Sequence, residues 1–87
     1  MKAQTADGFE VEIIEERLDD WEFLELVEAV DDGEYGKIVK VARYILGDNE
    51  VKRLKQHVRD TEGKVKATKM ADALREIMES ANTLKNL

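Results

Sequence analysis

Two periods of hydrophobic and polar positions run along this chain. Near the start the period is two: Phe9, Val11 and Ile13 alternate with Glu10 and Glu12, the pattern of a strand with one buried face. Asp7-Gly8 stands just before this run and is a strong turn signal. Residues 3–5 and 9–14 are therefore predicted to form a β-hairpin. A lone hairpin is marginal in water, so its apolar face must lie on helices or pair with another chain. Glutamates on its outer face would discourage uncontrolled edge pairing.

From Asp20 onward the period is that of a helix. Helix one is predicted from Asp20 to Val30, capped by Asp19, with Glu22 placed three residues on as in a capping box. Trp21, Phe23, Leu24, Leu26, Val27 and Val30 are too many for one narrow stripe. This helix is thus either central to the core or covered by something else. Asp31-Asp32-Gly33 ends it. Helix two is predicted from Tyr35 to Leu46, with Ile38, Val39, Ala42, Ile45 and Leu46 inward and Gly47 as its stop. Helix three, from Asn49 to Arg59, turns Val51, Leu54 and Val58 inward. Asp60, Thr61, Glu62 and Gly63 then break the helix, with Gly63 suited to a positive φ.

Val65 stands alone between two lysines, as one anchor on an extended step would. Thr68 is placed to cap helix four. Met70, Leu74, Ile77, Met78, Ala81 and Leu84 follow at spacings of 4, 3, 1, 3 and 3, a single apolar stripe. No internal repeat, low-complexity segment or linker divides the chain. The expectation is one mainly α-helical domain over residues 1–87, with a β-hairpin in 1–14 and four helices in 20–87.

At 87 residues with no cysteine, the domain is near the lower limit of independent stability and has neither disulfides nor a thiolate metal site. The absence of cysteine fits a reducing cytoplasm. Nothing at the amino end reads as a signal peptide, and no segment is apolar for long enough to span a bilayer. A soluble, cytoplasmic protein is expected. Charge is unevenly placed: residues 1–34 hold 13 acids and 2 bases, whereas residues 35–87 hold 7 acids and 12 bases, within a net charge of −6. Either solvated faces simply differ, or a polar field orients a partner or stacks copies head to tail.

Little here predicts chemistry. His57 is the only histidine, and the one acid at helical contact spacing is Asp60, an arrangement better suited to a cap than to a general base. The acids Glu15, Glu16, Asp19 and Asp20 lack the alternating order of a calcium loop. No glycine-rich phosphate loop is present. Lys37, Lys40, Arg43, Lys52, Arg53, Lys55 and Arg59 could form a nucleic-acid surface, with residues 35–59 read as a helix-turn-helix. Against that stand an acidic chain and few base-reading side chains. What remains is apolar surface. Met70, Leu74 and Met78 on helix four and Trp21 on helix one are the candidate partner contacts, since methionine suits an adaptable surface. On this reading Leu74→Asp and Met78→Asp abolish partner binding more than they unfold the domain.

Four stretches, in this order, carry a resemblance that covers most of the chain: Thr5 to Val11; Asp20 to Leu26; Ile45-Leu46-Gly47 with Val51 and Leu54; and Glu62-Gly63-Lys64-Val65 with Met70 and Ile77-Met78-Glu79. In these the chain resembles the small tail assembly chaperones of long-tailed phages and prophages of Gram-positive bacteria. The resemblance implies a non-enzymatic role without cofactors. Family members bind the helical, aggregation-prone tape-measure protein before the tail tube polymerises, help bring tail-tube subunits to it, and are absent from the finished virion. It also implies that this chain is the short one of two forms, the longer being made by a frameshift; self-association is expected alongside, since the charge split allows head-to-tail contact. The rival expectations are a small nucleic-acid-binding regulator using residues 35–59 and a structural phage component retained in the particle.

Overall fold

The computed structural model describes residues 1–85, and side chains as far as Ala81. Leu84, the last residue of the expected helix-four stripe, lies outside the described side chains. Strands β1 (Lys2–Gln4) and β2 (Glu10–Glu12) form an antiparallel hairpin, followed by helices α1 (Trp21–Asp31), α2 (Ile38–Val58) and α3 (Ala67–Lys85). Short 3-10 turns at Glu15–Leu18 and Tyr35–Lys37 precede α1 and α2. The protein is a mainly α-helical small domain with an N-terminal hairpin.

In the hairpin, Ala3 pairs with Val11, Lys2 with Glu12 and Gln4 with Glu10. Ala3 and Val11 are buried and the four outer residues exposed, as alternation requires. The strands are shorter than expected because the loop takes residues 5–9. There the Thr5 amide reaches the Phe9 carbonyl at 3.0 Å. Thr5, buried, donates its hydroxyl to Asp7 and accepts from the Phe9 amide at 3.1 Å. Gly8 takes a positive φ of 89°, a conformation costly for other residues.

One outward amide of each strand, a loop amide and a β2 carbonyl find partners on the helices beneath. On the β1 side, the amide of Gln4 donates to Ser80 Oγ and that of Ala6 to Glu76 Oε1, at 3.2 and 2.9 Å. On the β2 side, the Glu12 amide donates to Glu50, and Arg53 reaches the Glu10 carbonyl at 3.4 Å. The hairpin thus straddles α2 and α3, and its edges are covered by helix side chains rather than only guarded by charge.

Asp20, not Asp19, is the N-cap of α1: its carboxylate accepts the amides of Glu22 and Phe23 at 2.9 and 3.4 Å. Gly33, at φ 103°, ends the helix with its amide on the Val30 carbonyl, and the Glu34 amide reaches Ala29, a Schellman closure. Only Phe23 of α1 is fully buried. The helix lies at the periphery, and its excess of apolar residues is left facing outward rather than lodged in the core.

Helices two and three of the expectation are the two arms of α2, which meet at a kink at Gly47, so the chain has three helices and the second is broken where the glycine predicts. Gly47 alone is non-helical, at φ 80° and ψ 167°. At this break the carbonyls of Tyr44 and Ile45 accept from Arg17 Nη1 and the Ile14 amide, at 2.6 and 2.9 Å. The kink therefore fastens the segment before α1 to the middle of α2. Inward positions are Ile38, Val41, Ala42, Ile45, Leu46 and Leu54. Val39 was expected inward but is 53% exposed, since it sits about 100° away from the Ile38–Ala42–Ile45 stripe.

Asp60 organises the turn before α3, its carboxylate accepting the amides of Glu62 and Lys64, both at 2.9 Å. Gly63 has the expected positive φ, 86°, and Val65 is half-buried. Because α3 already begins at Ala67, Thr68 lies inside its first turn and is not its cap. Ala73, Leu74, Ile77 and Ala81 are buried, joining Phe23, Ile45, Leu54 and Val11 in one core.

Candidate partner-binding groove

Helices α1 and α3 each pack against α2 and scarcely touch each other. An open groove of about 630 Å³ lies between them. Phe23, Ile38, Val41 and Leu74 contribute buried apolar surface to it, Leu24 and Val27 come from α1, and Ala71 and Met78 from α3. Its polar lining is confined to Asp31, Tyr35 and Arg75, all of them exposed. Leu24 is 52% and Tyr35 68% exposed.

The four candidate contact residues are not brought together. Leu74 and Met78 line the groove, Leu74 being 5% exposed and Met78 half-buried. Met70 packs half-buried against the core and does not line it. Trp21 is 76% exposed and lies outside the groove lining, one turn before Leu24, so the two side chains are neighbours on the helix surface. Burial of Leu74 reverses the expectation for Leu74→Asp: a carboxylate there enters the core and unfolds the domain.

Leu24, Val27 and Tyr35 belong to the groove and were not singled out as contacts. Leu24 was readable as one residue too many on helix one. Tyr35 sits in a 3-10 turn, where no periodicity marks a face.

His57 has an acid beside it after all, from outside its helix. Its Nε2 lies 2.8 Å from Asp7 Oδ2 in the hairpin loop. The Phe9 ring stacks on the imidazole at 4.1 Å between centroids, and the Arg53 guanidinium lies 4.9 Å from the Phe9 centroid. The Thr5 hydroxyl and then His57 hold the Asp7 carboxyl below the usual aspartate range. Burial pushes Glu50 up, but Arg53, 2.7 Å away, and the Glu12 amide bring it below the glutamate range. The Thr5 hydroxyl is buried and donates to Asp7. The arrangement ties hairpin to helix.

A second tie joins α1 to α2. Tyr44 donates its hydroxyl to Asp20, and the Arg17 guanidinium lies 4.7 Å from the Tyr44 ring centroid. That bond lowers the Asp20 carboxyl and raises the Tyr44 phenol.

The basic residues of 35–59 divide. Arg53 holds Glu50, and Arg59 holds the Gly63 carbonyl at 2.6 Å, whereas Lys40, Arg43, Lys52 and Lys55 are exposed. Gly47 is one non-helical residue inside α2, without the three- to four-residue turn that joins the two helices of a helix-turn-helix.

Among the described residues no group of three or more His, Asp or Glu side chains could hold a metal. No helix among them is long and apolar enough to cross a membrane. Comparison with protein-family models, curated proteins and solved structures finds no match to the chain.

Proposed function

We propose that this protein is a non-enzymatic phage tail assembly chaperone that covers an apolar helical face of the tape-measure protein until tail-tube subunits replace it. The observation that carries the reading is the apolar groove between α1 and α3, left open by a chain that otherwise packs a continuous core. A groove of this kind receives the apolar face of an amphipathic helix. The order of the four sequence stretches that resemble such chaperones supports it. Work in the host cytoplasm and delivery of tube subunits follow from the same resemblance, and the uneven charge along the chain favours self-association. Several copies along one tape measure would add avidity without strong single contacts.

Co-expression with the neighbouring tape-measure protein tests this. The tape-measure protein is expected to become soluble and to co-purify with this chain. Recovery of this chain alone, with the tape-measure protein insoluble, overturns the reading. The nucleic-acid reading has less support, since two of its arginines are engaged within the fold and its turn is a kink. It predicts nucleic-acid binding that weakens steeply with salt.

A further inference from the structure

The two rims of the groove differ in charge. On α1, Asp31 lines the groove and Glu28 follows Leu24 by one turn, while Glu25 and the C-cap Asp32 are exposed farther round the helix. No basic side chain among the described residues pairs with any of these four acids. On α3 the rim charge is Arg75, which Asp72 engages at 3.4 Å. One wall is therefore an unpaired acidic helix and the other is close to neutral.

We propose that the groove takes an amphipathic helix carrying Lys or Arg along the flank that faces α1. This rests on the reading of the groove as a helix-docking site and specifies its occupant. Three observations select it. The slot lies between two helices that both rest on α2, so a further helix would complete the layer and bury Leu24 and Val27. Polar lining groups stand only at the exposed rim, whereas a small-molecule pocket needs converging polar groups to fix its ligand. The acidic wall attracts a basic flank and speeds its approach. A second copy of this chain fits less well. Its α1 would bring the same acids, and the basic outer face of its α2 offers Val39 as its exposed large apolar residue among those described.

The probes are two synthetic peptides of about 16 residues with leucines at i, i+3, i+4 and i+7 spacing, one flanked by lysines and one by glutamates. The full chain is titrated with each, reading heat and the emission of Trp21, its single tryptophan. The lysine peptide is expected to bind about tenfold or more tighter, with a preference that shrinks as salt rises. Glu28→Lys with Asp31→Lys should remove that preference. Leu24→Asp should weaken the lysine peptide about tenfold with an unchanged melting curve.

Equal binding of both peptides, preference for the glutamate peptide, binding indifferent to Leu24→Asp, or no binding of either would each overturn the proposal. So would dimerisation that Leu24→Asp abolishes, or saturable uptake of a fatty acid, without peptide binding. Peptide preference without rescue of the tape-measure protein leaves the basic-helix inference standing and removes the chaperone reading. Rescue without peptide preference does the reverse.

Discussion

His57, one residue before the end of α2, reaches Asp7 in the hairpin loop at 2.8 Å, across fifty positions of sequence. The contact is backed by Phe9 stacked on the imidazole. Replacing His57 by Ala removes both the hydrogen-bond partner of Asp7 and the ring on which Phe9 rests. His57→Ala is expected to speed amide exchange in residues 2–12 while exchange in the α2–α3 core changes less. Uniform acceleration across the chain would show that the hairpin and helices open as one unit.

The same region sets an acid response. Asp7 and Glu50 have folded-state values below their ordinary 3.8 and 4.5. A depressed carboxyl contributes stability that is present above the unfolded value and lost as pH falls through the folded one. The contribution of these two carboxylates to hairpin docking should therefore be fully present above the ordinary carboxylate range and lost below it. Asp7→Asn should flatten part of that response, read from the Phe9 and His57 ring signals in an NMR pH titration.

Leu74 and Leu24 separate stability from binding. Leu74 is buried and Leu24 half-exposed. Leu74→Ala is expected to cost about 2–5 kcal/mol, whereas Leu24→Asp should change stability by only about 0.5 kcal/mol. Denaturant unfolding followed by circular dichroism measures both. Partner capture in co-expression should be lost with the folded Leu24→Asp protein.

Gly47 occupies a backbone region open almost only to glycine, at φ 80° and ψ 167°. A Cβ there would meet Ile14 Cδ1 at 3.8 Å, an ordinary contact. The penalty of Gly47→Ala is therefore conformational rather than steric, about 1–3 kcal/mol, and unfolding midpoints should register it. An unchanged midpoint would mean that α2 straightens through this point at little cost.

Local signals were legible where they were backbone signals. Gly47 and Gly63 are the breaks their positions predicted, and Leu74, Ile77 and Ala81 of the α3 stripe are buried, with Met70 and Met78 half-buried beside them. The cap of α1 moved by one residue because adjacent aspartates both qualify and only Asp20 has the extended backbone that aims its carboxylate at the free amides. Contacts that depend on tertiary placement were not legible. Within its own helix His57 has only Asp60 at contact spacing, whereas the acid it meets comes from the hairpin. The groove likewise arises from how α1 and α3 sit on α2. Excess apolar residues on helix one signalled an uncovered face, but Leu74 and Met70 read the same as Met78 along a stripe, and only packing distinguishes core from rim.

Hydrogen exchange of the chain, alone and with the tape-measure protein co-expressed, tests the groove most directly. The account predicts new protection in residues 21–31 and 71–78, with the hairpin little changed. Protection confined to residues 52–66, or none despite a stable complex, would contradict it.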